Sequence, residues 1–174
     1  MRRALDPPEG PAVVLTSDLI ATAVEASRLS PRRRIILPFH RRPDENLHRM
    51  LNAIQPGSYI RPHRHLFPPK PESIVLLRGS IHFVIFGDAG QVQSHFILSA
   101  GSANFGVDIQ PGIYHTFFAL EPDTVLFEVK PGPYDEKTDK DFAPWSPAED
   151  DAEASTFLGG IMNEIGRASC RERV

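Results

Sequence analysis

The stretch GSYIRPHRHLFPPKPESIVLLRG, residues 57–79, sets two histidines one residue apart in an extended run and follows them with a lone glutamate. Side chains along a strand alternate between its faces, so His63 and His65 point one way and Arg64 points the other. Two imidazoles at that separation can share a divalent metal, and a carboxylate such as that of Glu72 adds a harder third donor. An H-x-H pair also arises by accident on a polar strand face, so its weight rests on what surrounds it. Here Gly57 precedes the pair and Gly79 closes the stretch, with six residues between Glu72 and that glycine.

A second segment completes the set. PGIYH, residues 111–115, is a Pro-Gly turn feeding the apolar run HTFFAL, which holds a third imidazole, His115, at a strand start. His63, His65, Glu72 and His115 then form a three-histidine, one-carboxylate set, and that combination resembles the two motifs of the cupin superfamily. The resemblance implies a cupin-type double-stranded β-helix, a jelly-roll barrel, holding one divalent transition metal: Fe, Mn, Ni or Zn. In that family the gap between the second histidine and the glutamate is shorter than the six residues LFPPKP found here. The spacing from Glu72 to Gly79 keeps the family pattern, so the extra residues read as a lengthened hairpin loop and Glu72 stays as fourth ligand.

The rest of the chain supports an all-β fold. TSDLIATAVEASRLSP reads as one N-terminal helix, capped by Thr16 or Ser17, stopped by Pro31, and carrying the narrow stripe Ile20, Ala23, Val24 and Ser27 for the outside of a sheet. From Arg34 onward come short β-branched and aromatic runs: RIILPF, HRMLNAIQ, SYIRPH, ESIVLLR, SIHFVIF, QVQSHFIL, SANFGVDI, YHTFFAL and TVLFEVK. Gly87-Asp-Ala-Gly90 marks a hairpin, and many short strands with close turns imply a sandwich or barrel. GPYDEKTDKDFAPWSPAEDD has too many prolines and charges for a strand, yet it carries Tyr134, Phe142 and Trp145. It reads as an ordered irregular tail laid over the barrel, either a lid or, as we favour, a packing strap.

Length and charge bound the rest. A chain of 174 residues suits one domain. The expected division is a loose N-terminus over 1–12, a single domain over 13–150 with its helix and strap, and a short tail over 151–163. EIGRASCRERV, residues 164–174, is what a common sequencing-adapter read encodes in one frame, and it reads as foreign to the fold. Its exclusion takes away the only cysteine, Cys170, and with it thiolate sites and disulfides. Net charge is −3, with Arg32, Arg33 and Arg34 reading as a solvated cluster, so no field for nucleic acid is implied. No apolar run approaches the roughly 20 residues that span a bilayer, and the N-terminus lacks the apolar core of a leader. The expectation is a cytoplasmic protein with no membrane insertion.

RMLNAIQPGSYIRPHRH (49–65), the glutamate and glycine that follow, PGIYH (111–115) and EVKPGPYDEKTDKDFAPWSP (128–147) narrow the resemblance to the WbuC family of cupin-fold metalloproteins. It spans about residues 14–150, and the tail motif is its most specific part. The resemblance implies a setting, bacterial O-antigen and related surface-polysaccharide biosynthesis, but no reaction. Strand parity adds candidate ligand contacts. If SYIRPHRH is one regular strand, Tyr59 and Arg61 share the face of His63 and His65. Arg61 then suits an anionic group on the ligand, or pairs with a structural carboxylate such as Glu128, and Tyr59 is a candidate acid. Glu128, placed at the pocket through the family signature, is a second catalytic candidate; Lys130 shares its strand face, and Arg49 lies in the RMLNA stretch. His40, His48, His82 and His95 lack ligand-like spacing and read as surface or hydrogen-bonded residues.

Three functions fit these residues. One is a metal-dependent enzyme, isomerase- or epimerase-like, acting on an anionic sugar or nucleotide-sugar. Another is an Fe(II)-dependent dioxygenase, and the third a non-catalytic sugar- or metal-binding module. The partner in each is a small molecule, with a homodimer possible.

Overall fold

The computed structural model describes residues 3–171, with side chains described through Arg167. In chain order the elements are α1 (Ser17–Leu29), β1 (Arg34–Pro38), β2 (Leu47–Ile54), β3 (His63–Arg64), β4 (Glu72–Arg78), β5 (Ser80–Phe86), β6 (Val92–Ser99), β7 (Gly106–Ile109), β8 (Tyr114–Ala119), β9 (Thr124–Pro131), β10 (Asp141–Phe142) and α2 (Ala154–Arg171). The strands form two five-stranded antiparallel sheets, ordered β1-β2-β9-β4-β7 and β10-β3-β8-β5-β6. The jelly-roll barrel expected from the sequence is therefore present, and eight of the nine expected runs contribute a strand, while SYIRPH gives only its last residue, His63, to β3.

Alternation along the strands decides what lies inside. On β9, Leu126 joins the barrel core while Val125 faces outward onto α1. The inward core is Ile54, Ile74, Leu76, Ile81, Phe83, Leu98, Phe117 and Leu126 with their neighbours, and it fills one end of the barrel. Continuing along β9, the next inward residues are Glu128 and Lys130, both buried, so the other end is polar. Gly79 makes the tight return from β4 to β5 with φ +72°, and a Cβ there would meet Thr124 Oγ1 at 2.3 Å, so the glycine of the first motif is required by backbone and packing alike.

The N-terminal helix sits where its stripe predicts. Thr16 Oγ1 accepts from Leu19 N–H at 3.2 Å, and Ala23 and Val24 pack on Ile35, Leu37, Leu51, Ala53 and Val125 across the outer face of the first sheet. The segment before it is less free than expected: Ala4 bridges to Ile36, and Leu5 N–H donates to Ile36 O at 2.7 Å. The arginine cluster also departs from a solvated one. Arg32 and Arg34 both pair with Glu149, and the Arg34 guanidinium donates to Ser58 Oγ at 3.0 Å and Tyr59 O at 2.7 Å. Their partner lies 115 residues or more away along the chain, so local composition could not reveal it.

The C-terminal segment differs most from the expectation of an irregular tail. Asp141 and Phe142 form β10 at the edge of the second sheet, and Ala143 N–H donates to Pro62 O at 2.9 Å. Trp145 packs against Phe86, Tyr114 and Phe157, and its indole N–H donates to Asp88 O at 3.0 Å. Gly90, in the predicted hairpin, leaves room for that ring, because a Cβ there would stand 2.8 Å from it. From Ala154 to Arg171 the chain is helical. Ala154, Leu158, Ile161 and Ile165 recur on one face of α2 and cover Tyr59, Val84, Phe86 and Phe118 on the outer face of the second sheet. The side chain of Cys170 and residues 172–174 lie outside the described residues.

Trp145→Ala should lower stability by about 3 kcal/mol, toward the low end for buried aromatics because part of the ring reaches solvent. A thermal or urea midpoint measured beside the unmodified protein checks this; an unchanged midpoint would mean that the segment moves as a lid.

Candidate metal centre

The register of β3 and β8 pairs His63 with His115, so both imidazoles enter the barrel at one level. His65 follows one residue past β3, and Glu72 opens β4 on the facing sheet. One donor atom from each of the four residues lies within 4.8 Å of the others, and all four side chains are buried. Glu72 Oε2 stands 3.4 Å from His65 Nε2 and 3.3 Å from His115 Nε2. The longer loop before Glu72 does not displace it. Leu66 and Pro69 bridge to each other, closing the extra residues into a tight turn of their own.

Hydrogen bonds fix which nitrogen of each ring faces the centre. His63 Nδ1 lies 2.9 Å from Arg61 O, His115 Nδ1 lies 2.9 Å from Ile113 O, and His65 Nδ1 contacts Asp139 O. A carbonyl only accepts, so each Nδ1 is the donor and each Nε2 of a neutral ring carries a lone pair toward the middle. Burial holds the His63 ring well below its ordinary pKa, helped by Lys140 and the two neighbouring imidazoles, so that ring is neutral near neutral pH.

The residues fit a metal. Among the described residues, the buried side-chain polar atoms with no hydrogen-bond partner are His65 Nε2, Glu72 Oε2 and, on the outward side of β2, Arg49 Nε. Lone pairs and a carboxylate brought together at this distance from water repel unless a cation lies among them. The flat face of His115 stacks on Phe83 with centroids 5.6 Å apart, which sets the ring plane from the apolar side. Three imidazole nitrogens and one carboxylate oxygen suit a divalent transition metal.

Around this set lies a layer of which the sequence pointed to Glu128 and Lys130 but not to Lys70 and Asp139. Lys70, from the lengthened loop, donates to Asp139 Oδ1 at 2.9 Å and to Pro133 O at 2.6 Å. Lys130 donates to Asp139 Oδ2 at 3.0 Å and stands 3.6 Å from Glu128 Oε1. Asp139 thus bridges two buried lysines while its backbone carbonyl orients His65. Burial opposes the charge on Lys130, but Glu128, Glu72 and Asp139 outweigh it and raise its pKa. The Glu128 carboxyl is pushed up to about 8, first by burial and then by the charge of Glu72, against the pull of Lys130. A signal was available, since Asp139 belongs to the DKDFAPW run, but nothing local showed that it would meet a lysine 69 residues upstream.

The structure gathers some of the ligand-contact candidates and not others. Glu128 and Lys130 lie on the inner wall next to Glu72; β4 and β9 pair Ile74 with Glu128, and Asn52 Nδ2 donates to Glu128 Oε2. Arg49 does not face the barrel. It sits on the outward side of β2 and lines a cleft of about 500 Å³ with Phe39, Arg41, Glu45 and Phe127. Tyr59 and Arg61 depend on parity along a continuous strand, and residues 58–62 are not a strand. The Tyr59 ring joins the cluster under α2 and its hydroxyl donates to Pro147 O at 3.0 Å, with burial pushing the phenol up to about 12. Arg61 donates to Ser146 Oγ at 3.1 Å and Ala143 O at 3.2 Å and lies over Phe142, so the strap, not Glu128, engages it. The four remaining histidines pair off away from the centre: His40 stacks on His48 at 3.9 Å, and His82 Nε2 lies 3.1 Å from His95 Nδ1.

Comparison with known proteins agrees with the fold. Residues 15–98 match a family model described as a domain of unknown function, DUF6016. No curated protein sequence matches the chain significantly. Among solved structures, CapF bound to the inhibitor 3-isopropenyl-tropolone superposes with a TM-score of 0.51 at 20% identity, over 62% of this chain and 30% of that one. A tryptophan-to-tyrosine variant of oxalate decarboxylase from Bacillus subtilis gives a TM-score of 0.45 at 22% identity, over 57% of this chain and 24% of that one. The chain thus spans less than a third of either neighbour. The fold is a cupin-type barrel.

Replacing both His63 and His115 by alanine should abolish stoichiometric uptake of a divalent metal while the far end of the barrel keeps the protein folded, as read by elemental analysis alongside circular dichroism. Asp139→Ala should cost about 3–5 kcal/mol, because it leaves two buried ammonium groups without their shared partner. Chemical denaturation measures that loss, and a cost below about 1 kcal/mol would show the lysines re-pairing.

Proposed function

We propose that the chain is a metal-dependent cupin protein that acts on an anionic sugar or nucleotide-sugar in the cytoplasm, in the assembly of a bacterial surface polysaccharide. The observation that carries the metal part is the pair of buried, unpartnered atoms His65 Nε2 and Glu72 Oε2 between the other two imidazoles. The WbuC-like motifs, above all the DKDFAPWSP tail, support the polysaccharide setting. A bound divalent metal would supply Lewis-acid polarisation of a substrate oxygen. His63, His65, Glu72 and His115 would hold it. Glu128 stands on the inner wall beside Glu72 with Lys130 3.6 Å from its carboxylate, a position from which a carboxyl can take or return a proton on a ligand in the mouth. The carbonyls of Arg61, Ile113 and Asp139 keep the three rings from rotating away.

A dioxygenase is the second reading, because a histidine-rich set with one carboxylate also suits Fe(II). Metal analysis of protein purified from its native host, joined to a screen of nucleotide-sugars and an oxygen electrode, separates the possibilities. The expected result is about one divalent transition metal per chain and turnover of a nucleotide-sugar that chelation abolishes without oxygen uptake. Substrate-dependent oxygen consumption would replace this reading with the dioxygenase. Saturable binding with no turnover would make the protein a binding module.

A further inference from the structure

The strap carries to the mouth of the barrel a cation that makes no hydrogen bond or ion pair among the described residues. Lys140 stands between Asp139, whose carbonyl meets His65 Nδ1, and Asp141, whose carboxylate accepts from Arg64 Nε at 2.7 Å. β10 pairs Asp141 with Arg64 and Phe142 with His63. Asp141 follows Arg64 to the outer face, and the Phe142 ring stands 6.2 Å from the His63 ring, so Lys140, set between the carbonyl that meets His65 and the strand that pairs with His63, lies against the candidate metal ligands. The electrostatics agree with that placement: Lys140 is the strongest charge acting on the buried His63 ring, and it also acts on Glu128.

The other cations near the mouth are engaged. Lys70 and Lys130 share Asp139, Arg61 donates to Ser146 and Ala143, and Arg64 is held by Asp141 and lies over the Tyr114 ring at 4.3 Å. Lys140 is half-buried and makes no hydrogen bond or ion pair among the described residues. Burial and the nearby Lys130 lower its pKa against the pull of Glu128 and Glu72, which is what a cation short of counter-charge experiences. An ammonium drawn out of water without a partner costs stability, and such a cost is retained where a ligand supplies the missing charge.

We propose that Lys140 reads an oxyanion, a phosphate or carboxylate, on the small molecule that enters beside His63, His65, Glu72 and His115. This rests on reading those four residues as a ligand-binding metal centre. The engagement of Arg61 by the strap moves the anion-reading role to Lys140, whose flexible point charge suits groups of different shape.

The test is calorimetric titration, at low salt, of cobalt(II)-loaded and of chelator-treated protein with glucose 1-phosphate and with glucuronate, using glucose as the neutral control. Wild type should bind at least one of the two anions and bind glucose more weakly. Lys140→Met should lose roughly tenfold or more of that affinity while cobalt content is unchanged, and Lys140→Arg should retain most of it. The thermal midpoint of Lys140→Met without ligand should equal or exceed that of wild type, because an unpaired charge has been removed. A protein that fails to bind cobalt sinks the metal reading alone, and Lys140 is then judged on the chelator-treated titrations. The proposal is overturned if wild type binds neither anion in either form, if Lys140→Met binds them as well as wild type does, or if Lys140→Met melts lower.

Discussion

One carboxylate holds the polar end of this barrel together. Asp139 is buried with Lys70 on one oxygen and Lys130 on the other, and its backbone carbonyl meets the Nδ1 of His65. Burial alone would push this acid up, but the two ammonium groups hold it below its ordinary pKa and so keep it ionised. The pairing ties three separate pieces of chain at one point: the loop before Glu72, the inward face of β9 and the strap. A candidate metal ligand is thus oriented by a residue that is itself immobilised by two ion pairs, which is how a ring can be held to a defined geometry from behind.

The barrel makes this possible by keeping its two ends chemically distinct. Leu126, Glu128 and Lys130 follow one another on the inward side of β9, passing from the apolar core to the charged mouth within a single strand. Burying the charged end costs solvation energy, and the apolar end, with Phe83, Ile74, Ile81 and Leu126 nearly inaccessible, offsets it. Phe83 belongs to both parts, packing into the core while stacking on His115.

The C-terminal segment is more than a cover. Within a few residues it supplies the carbonyl that turns His65, the carboxylate that binds Lys70 and Lys130, the β10 pairing to β3, the anchor for Arg61, and the Trp145 indole that donates to Asp88 O. Glu149 then clamps Arg32 and Arg34 beside β1, and α2 seals the outer face of the second sheet. A segment tied at so many points behaves as part of the site, and Lys140 is its one charged side chain near the candidate ligands left without a partner among the described residues.

The sequence by itself determined the strand periodicity, the N-terminal helix with its capped start and apolar stripe, and the candidate ligands. These are local properties: alternation places His63 and His65 together, and the two glycine turns set where β4 ends and β8 begins. Tertiary structure decided what local pattern cannot encode. The backbone over 58–62 leaves the strand geometry on which Tyr59 and Arg61 depended, and Arg49 turns to the outer face of its sheet. Lys70 and Asp139 meet only because the strap folds back across the barrel mouth. The helix α2 stands where a short tail and a foreign segment are expected: two successive glycines, Gly159 and Gly160, weaken the intrinsic helix signal, and the sheet face that its stripe covers does not exist until the barrel has closed. Contacts between distant segments are chosen by the whole packed chain, since each depends on burial and charge that no short stretch possesses alone.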